Sequence, residues 1–242
     1  MKKVIIAIPA RYSSERFPGK PLALIKEKPM IRWVYEKGEK VSEILNKKFN
    51  VRVLIATDDE RIKRVSEEFG AEVIMTPPHL PSGTDRIYYA TKNFDYDFIL
   101  NLQGDEPLIY EKDLENLIEE GVKNDYPCTT LVHRTSVGYN DPDIVKVVFD
   151  KSFKVLYFSR APIPYGREKN PTFFYKHIGV YFMRKDVIEK FVNLGESELE
   201  KIEKLEQLRL LENGIPIYCV LAERNTIPVD RREDIEKVAK FI

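Results

Sequence analysis

Short apolar runs alternate with amphipathic segments through the first half of this chain, and this alternation constrains the fold more than any other feature. The apolar runs are rich in β-branched residues and cover 3–8, 51–57, 71–75 and 97–102. Segments with helical spacing lie between and after them, at 29–47, 60–69, 85–94 and 112–124. Continuous apolar runs are typical of strands that are buried on both faces. The pattern therefore predicts an α/β fold, a doubly wound and mostly parallel sheet with helices on both sides.

The sequence also indicates where two helices begin or end, and how the second half of the chain folds. Thr84 is a predicted N-cap and Gly70 a predicted C-cap. After about residue 125, β-like runs at 128–135, 144–150, 153–158 and 176–183 follow one another with no helix between them. They predict a β-rich, antiparallel insertion at 128–183 that forms one wall of a ligand cleft or a subunit contact. A long helix is predicted at 197–214, then a strand at 215–222 and a terminal helix at 231–242. Because no linker is evident, residues 1–242 are predicted to form a single domain.

Charge and cysteine usage exclude several classes of protein. The chain has 39 Lys and Arg against 39 Asp and Glu, so no net charge favours a nucleic acid or a membrane surface. No apolar run approaches the roughly 20 residues of a membrane span, and the N-terminal run is too short for a signal peptide. We therefore expect a cytoplasmic protein that binds neither nucleic acid nor membrane. Cys128 and Cys219 lie in β-like runs and are predicted to be small buried thiols.

Polar loops follow the predicted strands, and ligands of an open parallel sheet bind beyond the carboxyl ends of its strands. The first loop, "IPARYSSERFPGKP", carries prolines, a glycine and the cations Arg11, Arg16 and Lys20, so it is predicted to meet an anion. Each loop alone also has a structural explanation, as a solvated turn or an ordinary helix start. The later loops add the polar residues Asp58, Asp59, Ser82, Thr84, Arg86, Gln103, Asp105 and Glu106.

The segment "NLQGDEP" is the most informative of these loops. A buried strand ends there and delivers an amide, a glycine and two carboxylates to the rim of the sheet, where Mg²⁺ and a triphosphate could meet. A turn with solvated acids is the alternative. The glycine-rich nucleotide signatures GxGxxG and GxxxxGK[ST] are missing from the sequence. An anion site must therefore be built from Arg, Lys and loop amides.

Several segments in one order carry a family resemblance. These segments are "IPARYSSERFPGKPL", "ATDDE", "SGTDR", "NLQGDEP", "VKVVFD", "YFSRAPIP", "HIGVY", "LEQLR" and "VDRRED". Together they closely resemble the 3-deoxy-manno-octulosonate cytidylyltransferases, the CMP-KDO synthetase family, over nearly the whole chain. The resemblance implies transfer of a cytidylyl group from CTP to the anomeric hydroxyl of KDO, giving CMP-KDO and pyrophosphate for lipopolysaccharide biosynthesis. It also implies a homodimer, for which the insertion at 128–183 is the predicted surface.

The same resemblance assigns residues to a nucleotide site and a metal site. Arg11 and Lys20 are expected to meet the phosphates and to be catalytic together with Asp105 and Asp230, the expected protein ligands of Mg²⁺. From the sequence alone Asp230 is an ordinary helix N-cap. The residues expected to line the nucleotide pocket are Pro9, Ala10, Arg11, Lys20, Ser82, Gly83, Gln103 and Gly104.

A sugar site has support from two sequence patterns. His177, Gly179 and Tyr181 alternate along a predicted strand and share one face. Glu206 lies among apolar positions of the predicted long helix, so its carboxylate requires a partner, either Arg209 in a core ion pair or sugar hydroxyls. The resemblance favours the sugar and adds Gln207 and Gln103. Arg86 and Arg160 are both candidates for the sugar carboxylate, and the residues alone do not choose between them.

Two other functions compete with this interpretation. One is a related transferase, either a sialic acid cytidylyltransferase or a sugar-1-phosphate nucleotidyltransferase, and the segments "YFSRAPIP" and "LEQLR" count against it. The other is a catalytically silent nucleotide-binding or scaffold protein. The presence of both Lys20 and Asp105 counts against a silent protein.

Overall fold

A computed structural model describes residues 1–13, 16–169 and 171–242. No helix in these ranges is both long and apolar enough to cross a membrane. The strands are β1 (Lys3–Ala10), β2 (Leu24–Ile25), β3 (Lys28–Pro29), β4 (Asn50–Thr57), β5 (Val73–Met75), β6 (Phe98–Asn101), β7 (Cys128–Thr135), β8 (Lys146–Phe149), β9 (Val155–Ser159), β10 (Phe174–Arg184) and β11 (Ile217–Leu221). The helices are α1 (Met30–Leu45), α2 (Glu60–Glu68), α3 (Gly83–Thr91), α4 (Glu111–Lys123), α5 (Lys185–Asn193), α6 (Glu198–Glu203), α7 (Leu208–Glu212) and α8 (Asp234–Ala239).

The chain forms two compact units. The first unit contains Met1–Glu115 and Asn225–Ile242, and the second contains Asn116–Arg224. The predicted insertion at 128–183 lies wholly within the second unit. That residues 1–242 act as a single domain stays a prediction.

The first unit is built on parallel strands in the order β6-β1-β4-β5. Ile6 and Ile8 of β1 and Leu54 and Ile55 of β4 are fully buried, as expected for strands covered on both faces. Since the strands run in the same direction, the loops that follow β1, β4 and β6 begin at one edge of the sheet. This edge is where the sequence predicts the ligand.

The helix ends of the first unit confirm one predicted cap and correct another. Gly70 follows the end of α2 with φ of +84°, a left-handed conformation that glycine adopts without strain. The predicted N-cap Thr84 is wrong, because α3 begins two residues earlier than predicted, at Gly83, and Ser82 Oγ accepts the amide of Asp85 at 3.1 Å. Thr84 instead accepts a hydrogen bond from the buried side chain of Asn101, at 3.1 Å.

The second unit is β-rich, as predicted. β7 pairs with β11 in parallel and with β10 antiparallel, while β8 pairs antiparallel with β10 and with β9. The register of β10 against β7 shifts between Ile178 and Tyr181. Cys128 and Cys219 are free thiols buried in this unit, and burial raises the pKa of both, so the predicted buried thiols are confirmed.

The long helix predicted at 197–214 is wrong. The stretch folds as α6 and α7, separated at Lys204, which has a left-handed φ of +53°. Arg160 Nε donates to the carbonyl of Glu203 at 2.8 Å, and Arg160 Nη2 lies 3.5 Å from the carbonyl of Lys204. Carbonyls at a helix C-terminus require partners from outside the helix. Because Arg160 supplies that partner, α6 ends after two turns and a helical sequence is divided.

Candidate functional site

A polar cavity of about 200 Å³ opens in the first unit at the carboxyl ends of β1 and β6. Of the predicted nucleotide residues, only Ser82 does not line it, since the Ser82 side chain caps α3. Both predicted metal ligands line it as well. The lining residues are Pro9, Ala10, Arg11, Arg16, Lys20, Pro21, Met30, Gly83, Arg86, Gln103, Gly104, Asp105 and Asp230.

The first loop is closed by Gly19. Its amide donates to the carbonyl of Tyr12 at 2.9 Å, and its φ of +71° is left-handed. A Cβ at this position would lie 3.1 Å from the ring of Tyr12. The guanidinium of Arg61 also packs against that ring, 3.3 Å from its centroid. Glycine therefore suits this position because it adopts the left-handed φ without strain and has no Cβ to clash with Tyr12. The turn at Gly19 places Lys20 at the cavity. Residues 14 and 15 of this loop lie outside the described residues.

Two further glycines allow loops to approach one another closely at the cavity. A Cβ on Gly104 would lie 2.9 Å from the carbonyl oxygen of Pro9, and a Cβ on Gly83 would lie 3.2 Å from Cγ of Pro9. Any side chain at Gly104 would therefore push the loop after β6 away from the end of β1. That Gly83 and Gly104 contact a nucleotide stays a prediction.

A chain of hydrogen bonds orients the Gln103 amide. Gln103 Nε2 donates to Asn101 Oδ1 at 3.0 Å, and Asn101 Nδ2 donates in turn to Thr84 Oγ1 at 3.1 Å. Asn101 is fully buried. Sequence reasoning did not assign Asn101 to the site, although a polar residue within the apolar run "DFILNL" was the available signal.

The central charges of the cavity are Lys20, Asp105 and Asp230. Lys20 Nζ lies 2.6 Å from Asp105 Oδ2 and 4.0 Å from Asp230 Oδ1. Arg16 Nη2 lies 3.0 Å from the same Asp230 oxygen. Two carboxylates from distant parts of the sequence therefore meet at one ammonium group. Arg16, which the sequence placed in the predicted anion-binding loop without a specific role, belongs to this group of charges.

Asp230 reaches the cavity on a segment that is fixed on both sides. The amide of Val229 donates to the carbonyl of Asp105 at 2.9 Å, and Asp234 Oδ2 accepts the amides of Asp230 at 3.1 Å and Arg231 at 2.9 Å. Val229 is fully buried in an apolar cluster with Phe17, Ile25, Met30 and Val238. The N-cap reading of Asp230 is wrong, because α8 begins at Asp234.

Arg86 lines the same cavity but is already paired. It is 1% exposed, and its Nη2 donates to Asp58 Oδ2 at 2.9 Å. Arg86 also donates to Thr76 Oγ1 and to the carbonyl of Pro77 at 3.4 Å. Burial lowers the pKa of Arg86, Asp58 opposes that shift and Arg11 adds to it. The structure thus places Arg86 as a buried ion pair at the wall of the cavity.

In the second unit, His177 and Tyr181 are adjacent and buried. Their ring centroids are 5.4 Å apart, and Gly179 between them leaves open space where a side chain would stand. The hydroxyl of Thr130 donates its only proton to the carbonyl of Val180, at 2.8 Å. His177 Nε2 lies 2.9 Å from the same hydroxyl oxygen, so we assign the proton of this second hydrogen bond to Nε2. Burial lowers the pKa of His177 to about 3 and raises that of Tyr181. Both side chains are therefore neutral near pH 7.

Glu206 and Gln207 follow the break between α6 and α7. The apolar stripe predicted around Glu206 is wrong, since Ile202 is 76% exposed, and the core ion pair joins Arg209 to Glu200, at 2.6 Å. Glu206 is half-buried and helps to raise the pKa of Tyr181, which places it near that ring. Gln207 is 4% exposed, and its Nε2 has no hydrogen-bond partner in the described part of the chain.

Arg160 is the remaining predicted sugar residue. Its guanidinium donates to the carbonyls of Glu203 and Pro142, at 2.8 and 2.9 Å. Its own carbonyl accepts from the fully buried Lys146 at 2.6 Å. Arg160 is thus held on both sides by the backbone of the second unit. In the described ranges, no group of three or more His, Cys, Asp or Glu side chains is arranged to hold a metal.

Comparisons with known proteins agree on one family. A family model described as cytidylyltransferase matches residues 5–236. The chain is 44% identical to a 3-deoxy-manno-octulosonate cytidylyltransferase of Thermodesulfovibrio yellowstonii, over 98% of this chain and 97% of that protein. It is also 44% identical to an 8-amino-3,8-dideoxy-manno-octulosonate cytidylyltransferase of Shewanella sp. strain W3-18-1, over 97% and 96%. A solved structure of CMP:2-keto-3-deoxy-manno-octonic acid synthetase complexed with CTP has a TM-score of 0.91 and 40% identity, covering 99% of this chain and 98% of that one.

Proposed function

Since this chain belongs to the cytidylyltransferase family and is a nucleotidyltransferase, we propose that it transfers a cytidylyl group from CTP to the anomeric hydroxyl of KDO. The products are CMP-KDO, a precursor for lipopolysaccharide biosynthesis, and pyrophosphate. The family resemblance and the α/β fold predicted from the sequence are confirmed. The observation that carries the proposal is the meeting of Lys20, Asp105 and Asp230 at the carboxyl edge of a parallel sheet.

The polar cavity of the first unit is the proposed nucleotide site. Arg11, Arg16 and Lys20 supply positive charge for a triphosphate, and no glycine-rich phosphate loop is needed where side-chain cations do that work. Pro9 and Ala10 form the wall assigned to the base, and the amides at the start of α3, beginning at Gly83, add a partial positive charge. Gln103, oriented by Asn101, offers a fixed amide for recognition.

Magnesium is the proposed metal ion, and the donor set of the cavity fits it. Mg²⁺ is usually bound by one or two carboxylates together with waters and substrate phosphates, and Asp105 and Asp230 are two carboxylates beside the proposed phosphate site. Their approach to one ammonium group, that of Lys20, supports this assignment. When bound, the ion supplies charge neutralisation to the triphosphate.

The proposed reaction is an in-line displacement at the α-phosphorus of CTP. The anomeric hydroxyl releases its proton to solvent as its oxygen forms the new bond to the α-phosphorus. The bond from the α-phosphorus to the oxygen that bridges to the β-phosphate breaks, and pyrophosphate leaves with both electrons of that bond. Such a reaction depends on alignment and on cations that offset the developing charge. Lys20 and Arg11 are proposed to bind the phosphates and to stabilise that charge.

Each unit, taken by itself, contains residues that are proposed to contact the sugar. In the second unit, His177, Tyr181, Glu206 and Gln207 offer neutral and anionic groups for hydroxyls, and the buried Gln207 Nε2 is a donor whose hydrogen bond a ligand would complete. Gln103 and Arg86 of the first unit are the other proposed contacts. For the sugar carboxylate, Arg86 and Arg160 remain the two proposed cations.

An 8-amino sugar is a second candidate acceptor, because curated relatives of equal identity carry that substrate in their names. KDO has a hydroxyl at carbon 8, whereas the alternative acceptor has an amino group there. The choice of acceptor changes specificity and leaves the cytidylyl transfer itself unchanged.

Pyrophosphate release tests the proposal. With CTP and Mg²⁺, we expect turnover when KDO is added and none with CTP alone. The same assay with the 8-amino sugar compares kcat/KM for the two acceptors, and a higher value for the 8-amino sugar would replace KDO as the substrate. Equal turnover with a sugar-1-phosphate would overturn the assignment to acid sugars.

A homodimer is also proposed, with 128–183 as its surface. Val137 and Leu156 in this segment are 74% and 62% exposed, and a subunit contact there would cover them. Sedimentation velocity measures the mass in solution, and a monomer at all concentrations would reject the proposal. A cytoplasmic location stays an expectation.

A further inference from the structure

Two adjacent carboxylates of the segment "NLQGDEP" face different surroundings. Asp105 lines the cavity and contacts Lys20, whereas Glu106 does not line it and is only 5% exposed. Glu106 Oε2 accepts a hydrogen bond from Thr226 Oγ1 at 2.6 Å, and Thr226 is 2% exposed. This distance is typical of a hydroxyl that donates to a carboxylate. The bond joins the loop after β6 to the segment that carries Asp230.

Two hydrogen bonds tie the segment 226–230 to the loop after β6. One is the side-chain bond from Thr226 to Glu106, and the other is the backbone bond from Val229 to Asp105. The first bond fixes the start of the segment and the second fixes its end, next to Asp230. With both bonds made, Asp230 Oδ1 lies within reach of Lys20 and Arg16.

We propose that Glu106 is a positioning residue that binds Thr226 and thereby holds Asp230 opposite Asp105, so that the pair can share one divalent cation. The inference rests on the proposed function, because it concerns the metal site of the same cavity. Glu106 itself does not line the cavity. Residues that orient a metal ligand from outside the coordination sphere typically change metal affinity by about 10-fold to 100-fold when they are removed.

The test is the affinity for Mn²⁺, measured by titration calorimetry on the full chain with a bound α,β-methylene analogue of CTP. Thr226→Val keeps the shape of the side chain and removes its hydroxyl, so we expect the Mn²⁺ dissociation constant to rise by about 10-fold or more. Thr226→Ser keeps the hydroxyl and should restore the wild-type constant. Affinity for the analogue without metal should stay unchanged in both variants.

A matched control separates positioning from general destabilisation. Thr91→Val also removes a fully buried threonine hydroxyl from the first unit, one that donates to the carbonyl of Ile87 and does not line the cavity. We expect Thr91→Val to lower the melting temperature without changing the Mn²⁺ constant. In turnover assays, excess Mg²⁺ should restore kcat of Thr226→Val, which a misfolded protein could not do.

The outcomes are separable from those of the proposed function. A wild-type Mn²⁺ constant in Thr226→Val, or an equal loss in Thr91→Val, would overturn the positioning role even if the enzyme makes CMP-KDO. Failure of the wild type to bind Mn²⁺ would overturn it too. The acceptor and the transfer reaction are judged independently, by pyrophosphate release.

Discussion

At the scale of single residues, the functional cations already have partners within the protein. Lys20 is bound to Asp105 and approached by Asp230, and Arg86 is bound to Asp58. In the proposed nucleotide site, a triphosphate would therefore compete with these carboxylates for Lys20. Under that proposal Lys20 would neutralise the carboxylates before binding and the phosphates after it.

Removal of Lys20 should reduce catalysis by more than a simple loss of binding. Lys20→Ala takes away one cation from the transferring phosphates and leaves two carboxylates in the cavity without their shared partner. We expect kcat to fall by about 10²-fold or more. Steady-state kinetics with CTP and KDO measure the effect, and the surface variant Lys40→Ala is the control. An increase in KM alone would limit Lys20 to a binding role.

The buried His177 predicts a pH dependence of stability. Its pKa falls from about 6.5 in the unfolded chain to about 3 in the folded protein, so only the unfolded chain takes up this proton between those values. Stability is therefore complete above pH 6.5 and decreases as the pH falls, by about 1.4 kcal/mol at pH 5.5.

Urea unfolding of the wild type and of His177→Asn at pH 7.5 and pH 5.5 measures this contribution. The wild type should lose more stability than the variant between the two pH values. An equal loss in both proteins would show that His177 is not buried in its neutral form.

At the scale of secondary-structure elements, the division between α6 and α7 decides which glutamate is structural. Arg209 is buried against Glu200, with bonds of 2.8 and 2.6 Å, and packs its guanidinium 4.1 Å from the ring of Phe191. In a continuous helix Glu206 would have faced the core. The break at Lys204 instead places Glu206 near Tyr181 and leaves Glu200 as the core carboxylate.

Paired substitutions at these two glutamates separate stability from sugar binding. Glu200→Gln removes the carboxylate that binds the buried guanidinium of Arg209, so we expect a loss of about 3 kcal/mol in the free energy of unfolding. Glu206→Gln should change stability little and raise KM for KDO, with CTP affinity retained. Denaturant unfolding and steady-state kinetics on both variants measure these effects. A large loss of stability in Glu206→Gln would reject its role as a sugar ligand.

The loop after β6 lies so close to the end of β1 that one added methyl group, at Gly104, should affect both stability and CTP binding. In Gly104→Ala the new Cβ would lie 2.9 Å from the backbone carbonyl of Pro9, which cannot rotate away. We expect a loss of about 1 to 3 kcal/mol in stability and weaker CTP binding. Gly195→Ala, where no atom lies within 4 Å of the new Cβ, is the control in thermal melts and CTP titrations. Unchanged CTP affinity in Gly104→Ala would show that the cavity tolerates separation of the two loops.

At the scale of the whole molecule, the C-terminal residues return to the unit formed by the first part of the chain. Residues 225–242 belong with 1–115, and the apolar cluster of Phe17, Ile25, Met30, Val229 and Val238 holds the two parts together. This return carries Asp230 to Asp105. The proposed metal site therefore depends on completion of the first unit.

The two carboxylates should behave as one functional group. Asp105→Asn and Asp230→Asn each remove a charge from the proposed Mg²⁺ site, and each should largely abolish catalysis while the fold is retained. The double variant should be scarcely less active than either single variant, because residues that act as a unit are strongly non-additive. Measurements of kcat/KM at saturating Mg²⁺, with circular dichroism as a folding control, decide this. Independent, multiplicative losses would mean that the carboxylates have separate roles.

The sequence by itself determined the features that depend on local chemistry. Buried strands reveal themselves by continuous apolar runs, so β1, β4 and β6 were predictable, and the loops at their ends carried Lys20, Gln103 and Asp105 to a common edge. The order of the segments identified the family. Such predictions need only the pattern of apolar and polar residues within a window of about ten positions.

Only the tertiary structure decided which distant groups meet. Thr226 carries no local signal, yet its hydroxyl holds the segment of Asp230 to Glu106. The break at Lys204 was equally hidden, because the helix-forming sequence around it is overruled by Arg160, which lies 44 positions earlier and binds the carbonyls where α6 ends. Hydrogen bonds and ion pairs over such separations depend on how the whole chain packs, and helix propensity, at less than about 1 kcal/mol per residue, is too weak to resist them.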